Sequence, residues 1–186
     1  MSEKLKRCTA FVLTMIFCLT FLQPANAELH HSRYKDFIYY TGAGKVYVIG
    51  YKGTKSTITL PSEINGKEVV EVYSMSKADT VRTVILSKNI SSCDLSDALQ
   101  IKNIKVVEDN PYLTVCNNCV IKSYTTIIDA PGAIKRVNSM PDSVTTVSSA
   151  FDGSNLEEVT LGKNVRRLLM SFWGCKNLKT VRMNET

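Results

Sequence analysis

The C-terminal part of the sequence repeats one apolar pattern about every 22 residues, and this period constrains the fold more than any other feature. The segment NLEEVTL at residues 155–161 returns as NLKTVRM at residues 177–183. A unit this short cannot bury its own apolar side, so successive units must stack into a solenoid in which each covers the next. Equivalent apolar residues of neighbouring units are Val144 and Val165, Phe151 and Phe172, and Val159 and Val181.

Each unit divides into a strand and a return segment. In LEEVTL, residues 156–161, side chains alternate between two faces, so Val159 and Leu161 point to the core. A turn rich in Pro, Gly and Asn follows, then a second apolar position and a return that carries an aromatic ring. We expect the two phenylalanines to stack as a buried ladder. The predicted repeat core consists of Leu60, Leu86, Val144, Phe151, Val159, Leu161, Val165, Phe172, Cys175, Leu178 and Val181.

The last two units follow a pattern typical of one family. Its repeat reads LxxVxIPxxVxxIxxxAFxxCxxL, which residues 140–156 and 159–178 follow at positions that include Ala150-Phe151 and Cys175. Over roughly residues 45–183 the sequence resembles the BspA-like, or treponemal-type, leucine-rich-repeat proteins. Residues 110–132 are similar to the hairpin often inserted between their repeats. Residues 73–100 lack the Ala-Phe pair, so the returns there are expected to be irregular.

The resemblance implies a protein that bacteria secrete or display on their surface, with roles in adhesion to host proteins or other cells and no shared catalytic residues. The predicted fold is mostly β with irregular or short helical returns: a right-handed leucine-rich-repeat solenoid with an N-terminal β-hairpin cap and an inserted β-hairpin. The predicted parts are a signal peptide at residues 1–27, a tail and hairpin cap at 28–57, and the repeat domain at 58–186, with the inserted hairpin at about 110–131.

The N-terminus has the three regions of a secretory signal peptide. Basic residues within positions 4–7 precede an apolar run at residues 8–22, and small residues at 25 and 27 suit cleavage before Glu28. The run is short for a membrane span, and no later segment is long and apolar enough. We therefore expect a secreted, periplasmic or cell-surface protein without a membrane span after cleavage. An uncleaved anchor and a lipoprotein are the alternatives.

The charge and motifs of the chain exclude several classes of function. The formal charge is +6, and removal of three cations and one anion with the signal lowers it by two, to +4. The basic residues are scattered, so no nucleic-acid partner is expected. Nucleophile elbows, phosphate loops, dinucleotide fingerprints and metalloprotease helices are absent, so we expect no enzyme, cofactor or metal. The acidic pairs Asp94/Asp97 and Glu157/Glu158 are expected to be solvated charges, because catalytic carboxylate pairs need a walled cleft.

Four cysteines follow the signal peptide: Cys93, Cys116, Cys119 and Cys175. In an oxidising compartment the CNNC motif at residues 116–119 predicts a disulfide, or two thiols beside a hairpin loop, because Asn tolerates the positive φ of a turn. A redox site and half of a metal site remain alternatives, although the only histidines, His30 and His31, are adjacent and N-terminal. Cys93 and Cys175 are expected to line the core as small apolar side chains.

The outward side of the predicted strands is the candidate binding face. Its middle residues are Thr59, Ile85, Lys105, Thr160 and Arg182, with Ser139 in an irregular strand. This face is polar and mildly basic, so the expected ligand is an acidic or hydrogen-bonding protein surface or a glycan, including a host-derived one. An ordinary solvated sheet is the alternative.

The two ends of the solenoid differ in sequence. Five tyrosines fall within residues 34–51, where YYTGAGKVYVIG predicts a hairpin that either caps the first repeat or stacks on a ligand. No polar capping unit follows Met183, so we expect self-association or a partner to cover that end. The predicted function is a binding module. The alternatives are a structural assembly subunit and, less favoured, a thiol-redox protein that uses Cys116 and Cys119.

Overall fold

The computed structural model describes residues 31–73, 75 and 77–184, and the predicted signal peptide lies outside them. These described residues form strands and turns, and no helix among them is long and apolar enough to cross a membrane. The strands are β1 (Ser32–Tyr34), β2 (Phe37–Gly42), β3 (Lys45–Tyr51), β4 (Thr57–Thr59), β5 (Glu63–Ile64), β6 (Lys67–Val72), β7 (Thr83–Leu86), β8 (Ser92–Cys93), β9 (Asn103–Val106), β10 (Leu113–Cys116), β11 (Cys119–Lys122), β12 (Thr126–Asp129), β13 (Arg136–Val137), β14 (Thr146–Ser148), β15 (Glu158–Leu161), β16 (Arg167–Leu169) and β17 (Thr180–Met183).

The predicted repeat strands pair in parallel and form one face of the solenoid, which we call the strand face. β4, β7 and β9 form its N-terminal ladder, and β13, β15 and β17 form its C-terminal ladder. Inward residues such as Val84 and Val159 are buried, as the two-residue alternation predicts. The leucine-rich-repeat solenoid predicted from the period is therefore confirmed.

A second set of parallel strands forms another face of the solenoid, which we call the second ladder. It consists of β3, β6 and β8 and, starting from the last strand of the inserted hairpin, of β12, β14 and β16. The sequence pattern marked only an apolar position here, Val144 or Val165, whereas the structure has a strand just after it. β14 and β16 are three residues long, too short to show an alternation that could be recognised.

The returns from the second ladder to the strand face are turns, so the irregular alternative of the prediction is the one that the described residues show. Each begins with a backbone hydrogen bond from residue i+3 to residue i. These bonds run from Ala78 N to Met75 O, from Ala98 N to Leu95 O, from Ser154 N to Phe151 O, and from Cys175 N to Phe172 O.

The two phenylalanines of the returns stack as the 21-residue spacing predicts. The ring centroids of Phe151 and Phe172 are 5.8 Å apart, and the rings are inclined by 8°. The Cys175 thiol donates a hydrogen bond of 2.8 Å to the Phe151 carbonyl oxygen. The last return is therefore tied to the preceding one by both an aromatic contact and a hydrogen bond.

The N-terminal cap is an antiparallel meander of β1, β2 and β3, and β3 continues in parallel with β6. The turn between β2 and β3 is made by Ala43 and Gly44, with φ of 49° and 75°, the positive values that a two-residue hairpin turn requires. The cap thus adds a strand to the first end of the second ladder, and the predicted N-terminal hairpin cap is confirmed with one strand more.

The inserted hairpin, β10 to β12, interrupts the strand face, and one side chain bridges the gap. Its first turn consists of Asn117 and Asn118, with φ of 49° and 66°. Asn118 Oδ1 accepts a hydrogen bond of 3.1 Å from Ile104 N, and its Nδ2 donates one of 2.7 Å to Lys102 O. Asn118 therefore bonds to β9 as the backbone of a neighbouring strand would.

The second ladder is bridged in the same way. Asp129, at the end of β12, is 1% exposed, and its Oδ2 accepts a hydrogen bond of 2.9 Å from Leu95 N. Its Oδ1 accepts one of 2.8 Å from Ala130 N. A buried carboxyl group thus joins the inserted hairpin to the coil of β8.

The core extends through both halves, and one predicted member lies outside it. Leu60, Leu86, Val144, Phe151, Val159, Leu161 and Val165 are buried. Phe172, Cys175 and Leu178 are partly buried, and Val181 is 46% exposed. The prediction of Val181 as a core residue is wrong for the described chain, because β17 forms the edge of its ladder and no described coil covers that side.

Candidate functional site

The predicted binding residues lie in two groups on the strand face. Thr59, Ile85 and Lys105 are neighbours in the N-terminal ladder, and Thr160 is beside Arg182 in the C-terminal ladder. The Asn117–Asn118 turn lies between the two ladders, so the sheet is not continuous. Ser139 was predicted as the outward residue of the irregular strand. The pairing of Val137 with Val159 instead places residue 138 beside Thr160.

Two rows of ion pairs cross the C-terminal ladder. The Glu157 carboxylate lies 3.3 Å from Lys135 Nζ and 3.7 Å from Lys179 Nζ. The Glu158 carboxylate lies 3.6 Å from Arg136 and 3.5 Å from Arg182. Glu157 and Glu158, predicted to be simply solvated, are each shared by two cations, and Arg182 is held by an ion pair. We call these six side chains the ion-pair lattice; it carries four cations and two anions.

Hydrogen bonding and charge from Lys135, with a smaller effect of Lys179, lower the pKa of Glu157. Glu157 is therefore ionised at neutral pH, and the excess of positive charge on the lattice persists. The pairs are solvent-exposed, so their contribution to stability is small and their main effect is to hold the cationic groups in place.

A groove of about 510 Å³ lies along the second ladder, where the sequence indicated no site. Its carboxylates are Glu71, Asp94, Asp97 and Asp152, and its aromatic residues are Tyr73 and Trp173. Of the described residues that line it, none is a lysine, arginine or histidine. Asp94 and Asp97, predicted to be ordinary solvated charges, are exposed but belong to a walled concave surface.

Two carboxyl groups of this groove, Asp94 and Asp152, have raised pKa values. Burial raises the pKa of Asp94, and the negative charges of Asp97 and Glu71 raise it further. Burial also raises the pKa of Asp152, and Asp94 adds to the shift. The sequence did not reveal this grouping, because its members come from different coils; a line of acidic residues near the ends of the second-ladder strands was the available signal.

The cysteines of the described chain are all free thiols. Cys116 and Cys119 face each other across the Asn117–Asn118 turn, but the predicted disulfide is not formed; the thiol alternative is the one present. Cys119 is buried, and this burial raises its pKa to about 12, with a smaller contribution from Cys116. Among the described residues, no group of three or more His, Cys, Asp or Glu side chains could hold a metal ion.

These features define a leucine-rich-repeat solenoid with a basic lattice on one face and an acidic groove on another. No protein-family model matches the chain, and no curated protein matches it. It is similar to solved bacterial structures. A leucine-rich cell surface protein from Faecalibacterium prausnitzii is 14% identical, with a TM-score of 0.44, over 83% of this chain and 54% of that one. This chain therefore spans about half the length of that protein.

A leucine-rich-repeat protein from T. pallidum is 20% identical, with a TM-score of 0.41, over 82% of each chain. The pneumococcal vaccine antigen PcpA is 9% identical, with a TM-score of 0.44, over 84% of this chain and 71% of that one.

Proposed function

We propose that this protein is a non-catalytic binding module of the bacterial cell surface or exterior, and that its strand face binds an acidic protein surface or an anionic glycan. The ion-pair lattice is the observation that carries the proposal. Its four cations lie on the two outer strands of the C-terminal ladder, each one strand spacing of about 4.8 Å from the strand that carries the glutamates. The backbone ladder holds them in place, so little side-chain order has to be gained on binding.

The charge of the lattice supports this class of ligand. Two carboxylates between four cations leave a local excess of positive charge, and Lys105 extends it into the N-terminal ladder. Attraction between exposed charges is screened by salt. Binding should therefore weaken as the ionic strength rises.

The state of the thiols supports a non-catalytic role. A redox cysteine needs an accessible thiolate. Cys119 is buried with a raised pKa, and burial also raises the pKa of Cys93. Titration with a thiol reagent between pH 6 and pH 9 should leave both unreactive in the folded protein; a rapidly reacting thiolate at Cys119 would favour the redox alternative.

The test is to present the purified secreted protein to an array of anionic and neutral glycans and extracellular-matrix proteins. The variant Arg136→Gln/Arg182→Gln removes two lattice cations without reversing their sign. Lys88→Gln/Lys122→Gln removes two exposed cations that lie outside the lattice. We expect a loss of affinity of at least about tenfold in the first variant only. Equal loss in both variants, or no binding by a folded protein, would contradict the proposal.

Export is tested separately. If the signal peptide is cleaved as proposed, the intact mass of the secreted protein will correspond to a chain that begins at Glu28. A cell-associated protein with the full N-terminus would instead indicate an anchor.

Assembly is a second candidate function, favoured by the apolar residues of the last described coil. Leu168, Leu169, Met170, Val181 and Met183 are 46–77% exposed. Light scattering from low to high micromolar concentration should show growth of the mass if this surface self-associates. A constant monomer mass would contradict it.

A further inference from the structure

The acidic groove is built by coils that are distant in sequence. Glu71 and Tyr73 come from the coil of β6, Asp94 and Asp97 follow β8, and Asp152 and Trp173 belong to the last two returns. The backbone of Gly153 lies against Asp97, since a Cβ placed on this glycine would be 3.8 Å from the Asp97 Cβ. The coils adjoin in the order Tyr73, Asp97, Gly153, Trp173, so the carboxylates lie between two aromatic side chains.

The charge of the groove selects for a cation. Four carboxylates meet there, and the described residues that line the groove include no lysine, arginine or histidine, although the whole chain carries +6. The raised pKa of Asp94 reflects its burial and the repulsion from Asp97 and Glu71. A bound cation would remove this repulsion, so the groove has an electrostatic reason to be occupied.

The aromatic side chains are placed to contact such a ligand. Trp173 is 79% exposed, and its backbone N–H donates a hydrogen bond of 3.2 Å to Asp152 Oδ1. Tyr73 stacks on Tyr40 and Tyr47, each with ring centroids 6.4 Å from its own, so its ring is supported. Ammonium and guanidinium groups bind well where an aromatic face and a carboxylate are both available.

We propose that the groove binds a basic peptide segment with two or more lysine or arginine side chains. The carboxylates pair with the cationic groups, and Trp173 and Tyr73 contact them through their ring faces. The volume suits a ligand of several residues rather than a single ion. This proposal is independent of the anionic ligand proposed for the strand face.

The test uses Trp173 as its own reporter, because it is the only tryptophan in the chain. A tetra-arginine peptide is titrated into the secreted protein, with tetra-glutamate, spermidine and neutral oligosaccharides as comparisons. We expect saturable change of the tryptophan emission with tetra-arginine and none with tetra-glutamate. Spermidine binding as tightly as the peptide would assign the groove to free polyamines and overturn the peptide assignment. Emission changes with neutral sugars alone would overturn the cationic ligand.

Variants read by anisotropy of a labelled tetra-arginine peptide locate the site. Asp94→Asn/Asp97→Asn should weaken binding at least about tenfold, and Trp173→Ala severalfold. The matched control, Glu108→Gln/Asp109→Asn, removes two exposed carboxylates outside the groove and should change the affinity less than twofold. Equal weakening by the control would show unspecific attraction and overturn the proposal. Arg136→Gln/Arg182→Gln should leave peptide binding unchanged, which separates this test from that of the strand face.

Discussion

The middle returns and the C-terminal returns of the solenoid have the same backbone turn but almost no sequence in common. Met75 and Leu95 occupy the positions of Phe151 and Phe172, as the equivalent i+3 to i hydrogen bonds show. Met75, Leu95 and Phe151 are fully buried. The comparison teaches that this corner requires apolar volume rather than an aromatic ring.

The two regions also differ in how they are covered. Met75 and Leu95 have 0% exposure, whereas Phe172 is only partly buried and the following strand, β17, is an edge. Of the two returns that carry the aromatic ring, the one with Phe151 is as fully buried as the middle returns, and only the last is incompletely covered. Burial therefore depends on the position of a return in the stack and not on how clearly its sequence pattern can be recognised.

The largest expected effect tests the equivalence of the corners. Met75→Ala and Phe151→Ala should each lower the free energy of unfolding by about 3–5 kcal/mol, because each leaves a cavity in a closed core. Denaturant unfolding measures both, with Leu99→Ala, at a side chain that is 47% exposed, as the control. A cost below about 1 kcal/mol for Met75→Ala would show that the middle return is not equivalent.

Phe172→Ala sharpens the comparison within the aromatic stack. The sequence alone predicts a cost of about 3–5 kcal/mol for this substitution. Because Phe172 is only partly buried, the structure lowers the expected cost to about 1–3 kcal/mol. If the measured cost equals that of Phe151→Ala, some further surface covers this ring in solution.

Asn118→Ala tests the bridge that joins the two halves of the strand face. It removes the partners of Ile104 N and Lys102 O and should cost about 1–3 kcal/mol in unfolding free energy. Hydrogen exchange at the Ile104 amide should accelerate more than exchange at Val84, in the middle of the ladder. Unchanged protection at Ile104 would show that another group takes over the bond.

Asp129 makes the second bridge sensitive to pH. Burial raises the pKa of Asp129 to about 8, although hydrogen bonds from Cys93, Leu95 and Ala130 lower it. Its folded pKa lies above the unfolded value of 3.8, so its stabilising contribution is complete below that pH and is lost as the pH rises through about 8.

Between pH 5 and pH 8 the unfolding free energy should therefore fall by up to about 1.4 kcal/mol per pH unit through this group. Asp129→Asn should flatten that slope, while Asp109→Asn, at an exposed carboxylate, should not. Identical slopes in the two variants would mean that Asp129 is ionised throughout this range.

The repeat strands, their register and the stack of Phe151 on Phe172 could be predicted because each depends on a spacing within the chain. The second ladder was only half predicted, since strands as short as β14 and β16 carry too few residues for an alternation. The burial of Val181 was predicted wrongly, because the pattern specifies a residue's place in its unit but not what surrounds it. For Cys116 and Cys119 the pattern left a disulfide and two thiols as alternatives, and the structure has the thiols.

The sequence by itself determined that the chain must stack: apolar residues at a period of 21 or 22 can be buried only by the next unit. The tertiary structure alone decided which units adjoin. Because the inserted hairpin separates neighbouring coils in the sequence, residues far apart along the chain come into contact. Asp97 lies against Gly153, and Asp129 lies against Leu95. The acidic groove exists only because of these contacts, and no local spacing encodes them.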